Sequence, residues 1–177
     1  VKISEGCNKN CSYCAIPSMR GRYRSVPMEE LVEEAVKLTA RGVRELILVA
    51  QETTLYGVDL YGKKMLPELL TRLSQIQDLV WIRVLYCYPE EITGELADVL
   101  RDNPKICRYL DLPIQHCNDE ILRKMGRLTN RKQLEETIRM LRERVPGLAL
   151  RTTLISGFPG ETKEQHEECL SFVREMK

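Results

Sequence analysis

The chain has 177 residues, which suits one domain with material for its own core. Its 43% hydrophobic and 30% charged residues are ordinary for a globular protein, and a net charge of +1 gives no bulk electrostatic case for nucleic acid or a membrane surface. No apolar run is long enough to span a bilayer and no signal peptide is visible. Seven cysteines is an odd count in too long a chain for a secreted disulfide framework, so reduced thiols, a cytoplasmic setting and no membrane partner are expected.

The sequence lacks an initiator Met and opens directly in a strand-like run, Val1 to Ser4, so it reads as an excised piece of a longer protein. After a cysteine-rich loop, Pro27 suits the first turn of a helix carrying Leu31, Ala35 and Leu38 at helical spacing, which Gly42 ends. Leu46 to Ala50 is a continuous apolar run, as expected for a parallel strand covered on both faces. A loop from Gln51 to Gly62 leads to a helix with Leu66, Leu69, Leu70 and Leu73 on one side. Trp81 to Tyr86 is the third strand, Leu96, Val99 and Leu100 mark the next helix, and Tyr109 to Leu112 is the fourth strand. A short helix with Ile121, Leu122 and Met125 precedes one with Leu134, Ile138, Leu141 and Val145. Leu148 to Ile155 is the fifth strand. Thr162 and Gln165 then resemble a capping box ahead of a helix burying Cys169, Phe172, Val173 and Met176.

Strand and helix thus alternate five times at intervals of about 30–40 residues, the length of a βα unit. Right-handed crossovers wind such units into a parallel, barrel-like sheet. A full eight-unit barrel takes about 250 residues, so the expected α/β fold is an open partial barrel of five βα units. The C-terminal loops of its strands gather at one rim: the cysteine loop, Gln51 to Thr54, Tyr86 to Pro89, Gln115 to Cys117 and Gly157 to Glu161.

The first of these loops reads Glu5-Gly6-Cys7-Asn8-Lys9-Asn10-Cys11-Ser12-Tyr13-Cys14. Three thiolates at C-x₃-C-x₂-C spacing can converge on one soft metal centre. A structural zinc site takes four ligands, and no fourth lies nearby, although His116 or Cys117 are distant residues a zinc ion could recruit. A cubane cluster on three cysteines instead leaves one iron open.

This spacing, with Tyr13 before the last cysteine, resembles the radical S-adenosylmethionine signature. The resemblance implies a 4Fe–4S cluster on Cys7, Cys11 and Cys14 that binds S-adenosylmethionine at its open iron and cleaves it to a deoxyadenosyl radical. It places the backbone of Tyr13 against the adenine. The loop after the second strand, Ala50-Gln51-Glu52-Thr53 where relatives have Gly-Gly-Glu, is placed at the methionine amino group, making Gln51 and Glu52 candidates. Asp111 and Gln115 are candidates for the ribose or carboxylate, and Gly157, in Ile155-Ser156-Gly157-Phe158-Pro159-Gly160-Glu161, for the adenine. Such cores typically have six βα units, so a sixth strand is expected to be missing here.

Ile16-Pro17-Ser18-Met19-Arg20-Gly21, Val49-Ala50-Gln51-Glu52-Thr53-Thr54 with Tyr56-Gly57, and Gly157 to Thr162 together resemble the methylthiotransferases within this superfamily. Pro113-Ile114-Gln115-His116 is similar to the branch that modifies an aspartate β-carbon of the twelfth small-subunit ribosomal protein. The alternatives are the branch acting on a tRNA adenosine, the only reading with an RNA partner, and a non-catalytic zinc or iron–sulfur module. The resemblance further implies an electron donor such as flavodoxin or ferredoxin. It also implies an N-terminal domain with a second 4Fe–4S cluster and a C-terminal TRAM domain, both outside residues 1–177, all of which read as catalytic core.

Among the remaining candidates, the residues leave two readings each. Asp111 is costly to bury unless paired, so it is either a ligand contact or a satisfied structural carboxylate. His116 reads more readily as a hydrogen-bonding structural residue than as a ligand. Cys169 lies on a core stripe, and Cys87 and Cys117 read as rim or buried thiols. The basic clusters Arg20-Arg22-Arg24 and Arg123-Lys124 through Arg131-Lys132 read as solvated faces.

Overall fold

The computed structural model describes residues 1–176. Its first residues run beside the main sheet. The Ile3 amide donates to Val49 O and the Val49 amide to Val1 O, a parallel bridge between Lys2 and Val49. The chain then turns away, and β1 (Ser4–Glu5) pairs antiparallel with β2 (Arg24–Ser25). The first strand is therefore shared between the sheet and a two-stranded ribbon. Between these, α1 (Ile16–Arg20) occupies a stretch with no helical signal in the sequence.

α2 (Met28–Ala40) follows with Pro27 at its N-cap, one position earlier than expected. β3 (Glu45–Leu48), β4 (Trp81–Val84), β5 (Ile106–Asp111) and β6 (Ala149–Arg151) form a parallel sheet in chain order. A second bridge, Gln115 to Leu154, carries β5 and β6 further toward the rim. With the opening segment these make five parallel strands, and sequential parallel neighbours give the open partial barrel. β5 begins three residues earlier than the apolar pattern suggested. An irregularity lies there, with Ile82 opposite Ile106 and Val84 opposite Leu110.

The crossovers carry α3 (Val58–Tyr61), α4 (Leu66–Ser74), α5 (Gly94–Asp102), α6 (Asp119–Lys124) and α7 (Arg131–Arg144), and α8 (Lys163–Glu175) follows β6. α3 lies inside the segment expected to be loop. Helix starts follow local chemistry. Asn118 accepts from the Glu120 and Ile121 amides, while Asn130 with Gln133 and Thr162 with Gln165 close reciprocal capping boxes. Leu31 and Ala35 of α2, Leu69, Leu70 and Leu73 of α4, and Leu96, Ala97 and Leu100 of α5 pack on Leu46, Leu48, Ile82, Val84 and Leu110. A smaller cluster joins Ile114, Cys117, Leu122, Leu134, Ile138, Cys169 and Phe172, whereas Val173 and Met176 stay half-buried.

The strands are not covered on both faces. Burial alternates along β3 and β4: Leu46, Leu48, Ile82 and Val84 are sealed under the helices, while Ile47 is 41% and Trp81 53% exposed. The concave face of an unclosed barrel has no second layer to seal it. Polar partners occupy it instead, with Arg83 bonded to Glu45 at 2.8 Å and stacked over Tyr109. No helix among the described residues is long and apolar enough to cross a membrane.

Candidate functional site

The cysteine loop leaves β1 through Gly6, whose φ of +80° is left-handed. A Cβ there would lie 2.2 Å from Arg22 O, so only glycine lets the loop pass this close to the strand returning into β2. The loop is then fixed on three sides. The Gly6 amide donates to Gln51 Oε1 at 2.9 Å, and the Cys7 amide to Gly21 O. Asn8 Oδ1 accepts from the Tyr23 amide. The Ser12 amide and hydroxyl reach Met125 O and Lys124 O past the end of α6, and Gly126 makes room where a Cβ would stand 2.6 Å from Asn10 O. Cys7 and Cys11 are buried and Cys14 is exposed, all three with free thiols. Burial raises the Cys7 thiol, with Glu52 adding to it against the Lys9 amide, which donates to its sulfur.

A single zinc ion with Zn–S bonds of about 2.3 Å draws its sulfurs to about 3.8 Å from one another. The sulfurs of Cys7, Cys11 and Cys14 are not among the ligand-type atoms that converge within 4.8 Å in the described residues. A cubane, whose ligands sit on different irons, does not require them to meet at one point. His116 and Cys117 converge instead with Cys169, away from the loop.

Gln51 and Glu52 both lie at the loop. A cleft of about 490 Å³ is lined by Lys2, Ile16, Val49, Ala50, Gln51 and Tyr86, and a second of about 370 Å³ by Cys7, Asn8, Asn10, Pro17, Gly21 and Arg22. Glu52 is fully buried. Its Oε1 accepts from the Thr54 amide at 2.9 Å and from the Thr54 hydroxyl, while Oε2 has no partner. Burial pushes this carboxyl up to about 7, against the Thr54 hydrogen bonds and the Lys9 ammonium. An unpartnered buried carboxylate oxygen, next in sequence to the cleft-lining Gln51, is an acceptor without its hydrogen bond.

Asp111 ends β5 fully buried and satisfied: Oδ2 accepts from the Tyr86 amide at 3.2 Å and Oδ1 from Arg151 Nη1 at 3.1 Å. Both oxygens thus have partners, as the structural reading of this carboxylate requires. It stitches β4, β5 and β6 together, helped by Cys87 N to Asp111 O and by Thr53, whose hydroxyl donates to Leu85 O. Tyr13 stands at the mouth, 38% exposed. Gln115 (φ +70°) and Gly157 (φ +75°) are brought to the next part of the rim, where the Ile155 amide donates to Gln115 O and the Gly157 amide to Glu161 Oε2. His116 is structural there, its Nδ1 accepting from the Asn118 amide.

Sequence reasoning missed the support under Cys11. Tyr88 places its hydroxyl 3.6 Å from Cys11 Sγ, and its ring lies between Lys9 Nζ at 5.1 Å and the Arg127 guanidinium at 4.3 Å. Glu90 is 3.6 Å from both cations, and Glu91 holds Lys9 at 2.5 Å. Arg127 therefore belongs to the buried site, not to the solvated basic face in which its stretch was placed. The other members match that reading, with Arg20, Arg22, Arg24, Arg123, Lys124 and Lys132 exposed, while half-buried Arg131 pairs with Glu135, Glu168 and Glu175.

Known proteins place this geometry. The chain is 63% identical over all 177 residues to the ribosomal protein uS12 methylthiotransferase of Lachnoclostridium phytofermentans, and 51% identical over 175 residues to that of Clostridium acetobutylicum. It spans about 40% of the length of these relatives. Among solved structures it is similar to the radical S-adenosylmethionine methyltransferase TsrM of Kitasatospora setae (TM-score 0.79, 24% identity, 99% of this chain and 34% of that one). It is also similar to methylornithine synthase (TM-score 0.67, 16% identity, 100% of this chain and 49% of that one). These two likenesses concern the fold. Residues 1–173 match the radical SAM superfamily, and with the five-stranded open barrel and its cysteine loop already in place, the chain belongs to that superfamily.

Proposed function

We propose that Cys7, Cys11 and Cys14 hold a 4Fe–4S cluster that binds and reductively cleaves S-adenosylmethionine. We further propose that the chain is the catalytic core of a methylthiotransferase acting on an aspartate β-carbon of ribosomal protein uS12, or of the small subunit carrying it. The observation that carries the cluster is the loop itself, with three free thiols at C-x₃-C-x₂-C spacing, held by glycine contacts at both ends. The substrate rests on the uS12 methylthiotransferases that align with this chain over its full 177 residues, at 63% and 50% identity. Bound cluster and S-adenosylmethionine supply the one-electron chemistry that an unactivated C–H bond requires.

The residues take these parts. Gln51 holds the Gly6 amide and so orients the loop. The free oxygen of Glu52 accepts the ammonium of the methionine moiety, gaining the partner it lacks. Tyr13 offers its backbone to the adenine at the exposed mouth, and Gln115 and Gly157 face the nucleoside from the far rim. Asp111 is a positioning residue, acting through Tyr86 and Arg151. A second 4Fe–4S cluster in the N-terminal part of the whole protein, a flavodoxin or ferredoxin as electron donor, and a cytoplasmic setting complete the reading.

The test is anaerobic reconstitution with iron and sulfide, reduction, and EPR with and without S-adenosylmethionine. A cubane signal that shifts with the ligand and is absent in Cys11→Ala is expected. A cluster indifferent to the ligand, or zinc held in its place, overturns the reading.

A further inference from the structure

Away from the cysteine loop, His116, Cys117 and Cys169 bring one ligand-type atom each within 4.8 Å of one another, all three residues buried. A soft metal ion is the first occupant such a set suggests, but His116 has no lone pair to give. Its Nδ1 accepts from the Asn118 amide at 3.0 Å, and the remaining ring proton on Nε2 faces Glu161 Oε1 at 3.3 Å. Metal at Nδ1 would orphan an amide of the turn that starts α6, and metal at Nε2 would set an ion against the nitrogen that serves Glu161. The ring is spent on structure, which leaves two thiols facing one another.

We propose that Cys117 and Cys169 are a reversible redox pair, oxidised by a peroxide to a disulfide that ties the end of the β5 segment to α8. A disulfide bond of about 2.05 Å requires the sulfurs to approach by less than about 3 Å, within the reach of side-chain rotation at two cysteines. The two sulfurs are unequal. Cys117, through its thiol and its amide, lowers the Cys169 thiol against the effect of burial. The same thiol–thiol contact, with burial, pushes Cys117 up. Cys169 is also the less completely enclosed residue, 6% exposed against 0% for Cys117. Cys169 is thus the attacking thiolate and Cys117 the resolving thiol.

In the first step the Cys169 thiolate attacks the O–O bond, forming its sulfenic acid and releasing hydroxide. The Cys117 thiol then displaces that oxygen as water, forming the S–S bond. Two thiols lose two electrons and two protons, and the peroxide leaves as two waters. The consequence reaches the rim. Cys117 follows the Gln115 turn directly, and His116 bonds Glu161, whose other oxygen holds the Gly157 and Phe158 amides. A bond between Cys117 and α8 would fasten both turns together.

Trypsin isolates each cysteine in its own peptide, residues 109–123 for Cys117 and 164–174 for Cys169. The cluster-loaded chain is exposed anaerobically to hydrogen peroxide, alkylated with N-ethylmaleimide, digested and weighed. The two peptides are expected as one linked species that dithiothreitol separates. The same link is expected in a Cys7→Ser, Cys11→Ser, Cys14→Ser chain, where no loop thiol can contribute. In Cys117→Ser, dimedone is expected to label Cys169. The proposal falls if both thiols remain alkylatable at peroxide doses that oxidise half-buried Cys107, or if linkage to the loop cysteines is equally fast. A zinc ion retained one per chain and lost in Cys117→Ser also overturns it, in favour of the metal.

Discussion

Glu52→Gln separates what the buried carboxyl costs the fold from what it does for the site. The side chain is fully buried with one oxygen unpartnered, and burial lifts its folded pKa from 4.5 to about 7. The sign follows directly. Between these values the folded chain keeps a proton that the unfolded chain has released, so stability falls as pH rises from about 4.5 to 7 and the full deficit stands above 7. At about 1.4 kcal/mol per pKa unit the deficit above pH 7 is about 3 kcal/mol. By pH 5 less than a third of it has developed, so the carboxyl costs the wild type about 2–3 kcal/mol between pH 5 and pH 8. Glutamine has no proton to lose. It keeps the Thr54 hydrogen bonds at Oε1 and buries an unpaired amide at a cost of about 1–2 kcal/mol at every pH. Urea unfolding of both proteins at pH 5 and pH 8 should therefore show the variant less stable at the lower pH and more stable at the higher. The same variant should bind S-adenosylmethionine more weakly in an anaerobic titration, because the site's stored cost is what receives the ammonium. If the pH dependences of the two proteins differ by less than about 1 kcal/mol, the carboxyl is not held neutral by burial and the reasoning fails.

Gly6→Ala puts a Cβ 2.2 Å from a backbone oxygen at a left-handed φ, so the cysteine loop must move; a loss of several kcal/mol and of bound iron per chain is expected, read by denaturation and metal analysis. Asp111→Ala orphans the Tyr86 amide and should cost about 1–3 kcal/mol in thermal or urea unfolding, the half-exposed Arg151 adding little. Asp111→Asn keeps an acceptor for that amide and should lose clearly less. Tyr88→Phe removes the hydroxyl facing Cys11 Sγ while keeping the ring between its two cations, so an EPR-monitored redox titration should find the cluster's potential lowered and its iron content unchanged.

Why the sequence revealed some of this and hid the rest is a matter of chain distance. The three loop cysteines lie within eight residues, and the capping boxes at Asn130 and Thr162 span three, so their chemistry is written in spacing. The five βα units were legible for the same reason, since each is a local alternation of apolar patterns. Asp111 could be flagged as costly, but its partner Arg151 lies forty residues on, and only the register of β5 against β6 sets them side by side. Arg127 shows the limit more sharply. In sequence it sits among basic residues that face solvent, yet Gly126, in a left-handed turn, directs the chain so that the guanidinium lies over Tyr88 and beside Glu90. Ile47 and Trp81 fail in the opposite direction. Their apolar runs suggest two covered faces, and only the openness of the barrel leaves one face bare. Cys169 was readable as a core position because its helix repeats every turn, but its facing thiol enters from a different unit. In a parallel α/β sheet, residues from different strands that meet at the rim are separated by at least one crossover, so such partners are set by topology and register, while the spacing of the three loop cysteines is written locally in the sequence.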